Sequence, residues 1–326
     1  ADDDDSADDD DSADDDDSTD PVDPPLVWPA LSHLDAVVDL ARGDTPVWAS
    51  LVLLQDDAVG PAFRSYAYAD TADRTDFWVA SSIKIYTATA ALIVLHEQGM
   101  SLDTQATFFR RADPADPWTE DITVTVRDLI FDVFDSSSNS AYTLLLRFAG
   151  IDWLSQELFT AAHGFTSTAL LVPYVGERPY QYDRTEEQRI VLSDNGVTAE
   201  RTHLWSGTLY DDLVGCSFRY GARANCSPPA ELAEHMRRLM FHESLPAEAR
   251  FDLDPADLSW MRDGANGVRV MNQPSSPWAE GIQRVFPDAA YHHKAGRVTD
   301  FALDVHHVHD LASATRFVAA IVTESP

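Results

Sequence analysis

The chain has 326 residues, 44 % of them hydrophobic and 24 % charged, with a formal net charge of −32 at neutral pH. That length can hold one large domain or two interleaved ones, with ample material for a core. The charge argues against partners such as nucleic acid or an anionic membrane surface, and no apolar run approaches the roughly 20 residues of a membrane span.

Residues 1–18 are three copies of Ala-Asp-Asp-Asp-Asp-Ser. Such a segment has nothing to bury and repels itself, so disorder is expected over residues 1–29, through the Pro-rich linker Pro21–Pro29. The first twenty residues hold 13 Asp and no basic residue, so the remaining body still carries −19. A saline habitat or plain solubility would each account for so acidic a surface. The repetitive start of a mature-looking chain resembles a spacer between a lipid anchor and a secreted domain. Cys216 and Cys226 suit that compartment. A bridge between them would contribute about 3 kcal/mol in the chain-entropy model. Two cysteines without nearby histidines do not make a zinc site.

Ser32 can cap a helix over His33–Arg42 that stops at Gly43. Val47–Gln55 and Ala62–Ala69 alternate as two strands of a hairpin, with residues 56–61 as its turn. Phe77–Tyr86 then reads as a short buried segment turning into a long apolar helix that ends at Gly99. Ser81 stands at the turn, with Lys84 one helical turn on. A helix N-terminus offers unpaired N–H groups to an oxyanion, and the spacing puts the amine on the hydroxyl's face. Half-buried, Lys84 would have a lowered pKa and act as a base. Taken alone, the pair reads rather as an N-cap and an ordinary surface lysine.

A loop with prolines and tryptophans runs to Trp118, and Thr125 is placed to cap Val126–Phe134. Residues 135–140 open another apolar helix, Ala141–Phe148, and an amphipathic helix follows over Asp152–Ala162. Residues 165–227 show no clear periodicity, and Pro228–His242 is a strong helix with proline in its first turn. Ala289–His293, Val298–Val308 and Arg316–Thr323 alternate as three closing strands. With the first two they would make a five-stranded sheet from both chain ends.

Ser81-Ser82-Ile83-Lys84, Ser137-Ser138-Asn139 at the head of an apolar helix, and Lys294-Ala295-Gly296 on the first closing strand follow one another in order. Together they resemble the S-x-x-K, S-D-N and K-T-G set of the class A β-lactamases and the wider penicillin-recognising serine hydrolases, over about residues 30–323. Ser193-Asp194-Asn195 is a literal S-D-N, but it lies in the aperiodic region and reads as loop chemistry.

The resemblance implies an α/β (α+β) fold: a five-stranded antiparallel sheet flanked by helices, with an inserted all-helical subdomain. The sheet part would span about residues 30–80 and 287–326, the helical part about 81–286. It implies that Ser81 attacks a carbonyl and Lys84 takes its proton. Ser137, helped by Lys294, would pass a proton to the leaving nitrogen. Asn139, Ala295, Gly296 and Arg297 would line the substrate, the N–H groups of Ser81 and Arg297 forming the oxyanion hole. The substrate would be a small molecule, either a β-lactam or a related peptide or ester, and the protein secreted, periplasmic or surface-anchored. No cofactor is implied. The family's alternatives are a D-Ala-D-Ala carboxypeptidase or esterase with slow β-lactam deacylation, or a catalytically weak penicillin-binding module.

Four departures stand out. Ser138 replaces the motif's Asp, and Ala295 removes a carboxylate-binding hydroxyl that Arg297 could replace. No E-x-x-L-N loop for a deacylating glutamate is present. Glu177 is the nearest candidate, although an alignment from Thr168-Ala169-Leu170 puts Tyr174 in that place. The chain also stops at Pro326, just after the last strand, where the family has a C-terminal helix. Either helix 33–42 covers that sheet face or another chain does. Finally, His307 and His309 share a strand face beside His306, the pattern of a zinc hydrolase, but no third ligand is indicated and no metal is expected.

Overall fold

The computed structural model describes residues 33–57, 60–207, 225–273 and 277–324. The acidic repeat, the Pro-rich linker and Cys216 lie outside these residues. In chain order, α1 (His33–Arg42) precedes the hairpin of β1 (Val47–Asp57) and β2 (Gly60–Ala67). A 3-10 turn, Ala80–Ile83, runs directly into α2 (Lys84–Glu97). Every residue of α2 from Lys84 to Leu95 is buried, so this helix passes through the middle of the molecule rather than over its surface.

Next come β3 (Gln105–Arg111), β4 (Thr119–Thr125), α3 (Val126–Asp135) and α4 (Asn139–Ala149). The helix expected over 152–162 is broken into α5 (Ile151–Trp153), a π-turn at Leu154–Leu158 and a 3-10 turn at Ala161–His163. The strands β5 (Glu187–Asp194) and β6 (Val197–His203) follow. Then come the helices α6 (Pro229–Met240), α7 (Pro255–Asp263) and α8 (Pro277–Val285). The strands β7 (Ala290–Arg297), β8 (Phe301–His309) and β9 (Arg316–Glu324) close the order.

Two antiparallel sheets result. The larger has the order β2-β1-β9-β8-β7, so strands from the two ends of the described chain pair side by side, as expected. Its inner face carries Val52, Leu54, Val305, Val318, Ala320 and Val322 into one core with α2, α4 and α6. The fold class is the expected one.

The inserted part needs correction. It is not all-helical, because β4-β3-β5-β6 form a second, four-stranded sheet within residues 105–203. Only one face of that sheet is buried, mainly through Ala106, Phe108, Ile190 and Leu192. The other face is polar, as an antiparallel sheet against water allows. β7 also runs four residues past its expected end, so it contains the whole Lys294–Arg297 motif.

Ser193 and Asp194 end β5 at a hairpin whose Asn195 and Gly196 have φ of 47° and 84°, and Asp194 accepts from the Ser101 N–H at 2.7 Å. Ser193 and Asp194 are therefore paired strand residues beside a turn rather than loop residues, which corrects the loop expected there. The outer face of the large sheet is shared between two helices. On α1, Asp35 and Asp39 accept from the hydroxyls of Tyr66 and Tyr68, each at 2.5 Å. α8 covers Tyr291, Val308 and Phe317 through Ala279 and Ile282. The expectation that α1 covers this face alone is corrected accordingly.

Candidate active site

Ser81 is half-buried in the turn that opens α2, and the residue before it, Ala80, has φ of 44°. Ser137 is also left-handed, at 54°. A side-chain-bearing residue held there costs about 1–3 kcal/mol, and such strain gathers where geometry serves chemistry. The Tyr174 hydroxyl holds the first of these turns by donating to the Ala80 carbonyl at 2.7 Å.

The three motifs converge from three elements. β7 lies against the serine turn at Gly296, where a Cβ would stand 2.8 Å from the Ser82 nitrogen and 3.0 Å from the Ser81 nitrogen. Only glycine permits that approach. Ser137 precedes α4, whose N-cap is Ser138, its Oγ accepting from the Ala141 N–H at 3.1 Å. The Asp-to-Ser departure therefore falls on a cap, a role serine fills as well as aspartate.

The Lys84 side chain is wholly buried. Its Nζ donates to the Ser137 carbonyl, to Asn139 Oδ1 at 2.8 Å and to Ser137 Oγ at 3.3 Å. Lys294 Nζ donates to the same Ser137 Oγ at 2.9 Å and to its neighbour's Ala295 carbonyl at 2.7 Å. These partners are all neutral oxygens. Burial, aided by the charge of Lys294, lowers the Lys84 amine to about 7. Burial lowers Lys294 to about 8, against the opposing pull of Asp304 on the adjacent strand. One serine hydroxyl thus stands between two ammonium groups that are both ready to lose a proton near neutrality.

A cleft of about 450 Å³ joins these groups. Ser81, Ser137, Asn139, Lys294, Ala295, Gly296 and Arg297 all line it, and Lys84 joins them from beneath through its bonds to Ser137 and Asn139, which leaves Glu177 apart. Glu177 is exposed, outside the cleft lining, and its carbonyl accepts from the Gln181 N–H. The deacylating role considered for it is not carried forward. Tyr174, which the other alignment offers, lies nearer: its ring centre is 5.8 Å from Lys84 Nζ, and burial raises its hydroxyl to about 12. Arg297 alternates with Gly296 along β7, yet it lines the cleft while staying exposed. Phe134, Asp135 and Gln273 also line it, and nothing in the sequence singled them out.

Cys226 is buried and its backbone pairs with Ala169, whereas its expected partner Cys216 lies outside the described residues. The H-x-H pair is split in use: His307 Nδ1 lies 3.3 Å from His292 Nδ1, and His309 stands 6.5 Å away between ring centres. Among the described residues, no group of three or more His, Cys, Asp or Glu side chains is placed to hold a metal ion.

Comparison with known proteins gives a fold and no closer kinship. No family model matches the chain, and no curated protein matches it. Among solved structures, a beta-lactamase from Sphaerobacter thermophilus is 17 % identical, with 90 % of this chain and 87 % of that one covered and a TM-score of 0.52. A PBP-A mutant captured as an acyl-enzyme complex with penicillin G is 16 % identical, with 91 % and 88 % covered and a TM-score of 0.54. A beta-lactamase from Desulfarculus baarsii is 18 % identical, with 91 % and 88 % covered and a TM-score of 0.52. Across nine-tenths of its length, the chain has the fold of these beta-lactamases and of PBP-A.

Proposed function

We propose that the protein is a secreted or surface-anchored serine hydrolase that acylates Ser81 with a β-lactam or a related amide or ester and releases β-lactam products slowly. Neutral Lys84 takes the Ser81 proton as Oγ bonds to the carbonyl carbon. The N–H groups of Ser81 and Arg297 hold the oxyanion. As the acyl carbon–nitrogen bond breaks, Ser137 Oγ gives its proton to the leaving nitrogen and is reprotonated from the lysine pair. Water then cleaves the ester. The observation that carries this reading is Ser137 Oγ at 3.3 and 2.9 Å from two buried lysines in the cleft that holds Ser81.

Slow turnover rests on the neighbour of Lys84. Beside Lys84 stands Tyr174, a hydroxyl near 12 that is no base for water, and among the described residues Lys84 has no carboxylate partner. This favours a peptidase- or esterase-like enzyme over a rapid β-lactamase. The test is intact-protein mass followed over time after exposure to penicillin, beside the Ser81→Ala variant. A lasting adduct that Ser81→Ala does not form is expected. An adduct lost within seconds would favour a β-lactamase, and equal labelling of Ser81→Ala would overturn the assignment. The same mass, taken without reduction, reads the proposed Cys216–Cys226 bridge as the loss of two hydrogens.

A further inference from the structure

A second cleft, of about 280 Å³, continues the first along the same strand. Ala290–His292 of β7 line it, whereas His293–Arg297 line the Ser81 cleft. The partition between them is thin. The Gln273 side chain belongs to both, its Nε2 donating to Asp135 Oδ1 at 3.3 Å on one side and to the Arg269 carbonyl at 2.7 Å on the other. The Met271 carbonyl accepts from the His293 N–H at 2.9 Å on the outer edge of β7, which is the edge strand of its sheet.

The chemistry gives this row of sites a direction. Gly296, Lys294 and His292 are alternate residues on one face of β7, about 6.6 Å apart from one to the next. The attacked carbon sits at the Gly296 level, beside the Ser81 and Ser82 nitrogens. The leaving nitrogen sits at the Lys294 level, where Ser137 delivers its proton. One step further is His292, 6 % exposed and held at 3.0 Å by Asp263, on the wall of the second cleft. A leaving group of more than one residue would therefore extend away from the bond being broken and into this cleft. Its walls carry both signs of charge, with Arg269 to meet an anion and Asp263 to meet an N–H donor.

We infer that the second cleft is a subsite for the far part of an elongated leaving group. That group is an amine bearing at least two amino-acid units, with its terminal carboxylate at Arg269. The inference rests on the Ser81 reading above. The preferred reaction is then cleavage within a peptide rather than trimming of a single terminal residue or opening of a small ring. The acyl carbon–nitrogen bond breaks, and the peptide departs as the free amine with the proton from Ser137.

The experiment compares kcat/KM for N-acyl-alanyl substrates, with either chirality at the scissile alanine. The leaving group is alanine, dialanine or trialanine, each as free acid and as terminal amide. Wild type should prefer the two longer acids by about two- to fivefold over alanine, the scale an exposed guanidinium allows. Arg269→Ala should remove that preference and leave the single-alanine rate unchanged, and Arg269→Lys should restore part of it. Flat dependence on length in wild type, or an equal loss on all substrates in Arg269→Ala, would overturn the subsite even if penicillin still labels Ser81. Absence of both peptide cleavage and Ser81 labelling would overturn the hydrolase reading and the subsite with it.

Discussion

Arg147 and Lys84 are equally inaccessible, each 0 % exposed on a buried helix, but the molecule treats their charges in opposite ways. Arg147, at the junction of α4 with the four-stranded sheet, is fully partnered. It donates to Asp121 Oδ2 at 2.9 Å, Gln188 Oε1 at 3.0 Å and the Pro179 carbonyl at 3.2 Å. Among the described residues Lys84 is given only neutral oxygens, and a second ammonium, Lys294, shares one of them. Burial alone does not make a base. A buried cation denied a counter-charge becomes one, because losing the proton is its cheapest way to shed the desolvation cost.

Exchanging each cation for methionine should separate the two uses. Lys84→Met is expected to lower the rate of Ser81 acylation by about 10³-fold or more, with the melting temperature unchanged or raised, since an unpaired buried charge is replaced by an apolar chain of similar length. Arg147→Met should do the reverse. It strips one partner from Asp121, which keeps Arg110 at 2.9 Å, so a cost of about 3 kcal/mol in urea unfolding is expected, with the acylation rate of the folded protein preserved. Equal destabilisation by both variants would erase the contrast.

The same contrast explains what could be read in the sequence. The candidate site was legible because its residues stand at fixed short spacings on recognisable elements: a serine and lysine one helical turn apart, a serine and asparagine around a helix start, and Lys-x-Gly on a strand. The four-stranded sheet was not. β4 reads Thr-Glu-Asp-Ile-Thr-Val-Thr, with no fully buried residue, and β6 is likewise polar along its length. A strand stabilised by pairing at a sheet edge leaves little alternation to find. β5 does bury Gln188, Ile190 and Leu192 in alternation, but it lies among long aperiodic stretches. Tyr174 was within reach through one of two alignments, and its contact with Ala80 at the serine turn shows only in the fold. Gln273 had no signal, since its importance comes from two clefts that meet only in the fold.

The lysine pair should also set the pH profile. Lys84 must be neutral to accept the Ser81 proton, so acylation rises as pH climbs through about 7. Lys294 must keep its proton to assist Ser137, so the rate falls again as pH passes about 8. The expectation for kcat/KM on a neutral ester is a narrow bell between those limbs, with several-fold loss one pH unit outside either. A rate that is flat from pH 6 to 9 would remove Lys84 as the base and leave it a second structural cation, like Arg147.

The smallest effect expected is at Arg297, the cleft's exposed cation. It stands one residue beyond Gly296, on the side of the attacked carbon away from Lys294 and His292. Ala295 offers no hydroxyl to a substrate carboxylate, and Arg297, two residues on, is an exposed basic side chain of the same lining. Because the guanidinium is solvated, its attraction for a carboxylate should be modest, about 0.5–1 kcal/mol, or a factor of two to five. Arg297→Ala should accordingly raise KM by that factor for substrates with an acid on the acyl side, with kcat unchanged and neutral esters spared. The position of the acid also separates this residue from Arg269, which faces the other end of the row. An acid on the leaving group should respond to Arg269→Ala and ignore Arg297→Ala, and an acid on the acyl group should do the opposite. If Arg297→Ala slowed neutral and acidic substrates alike, its side chain would have no role as a clamp, and its backbone N–H in the oxyanion hole would be its whole contribution.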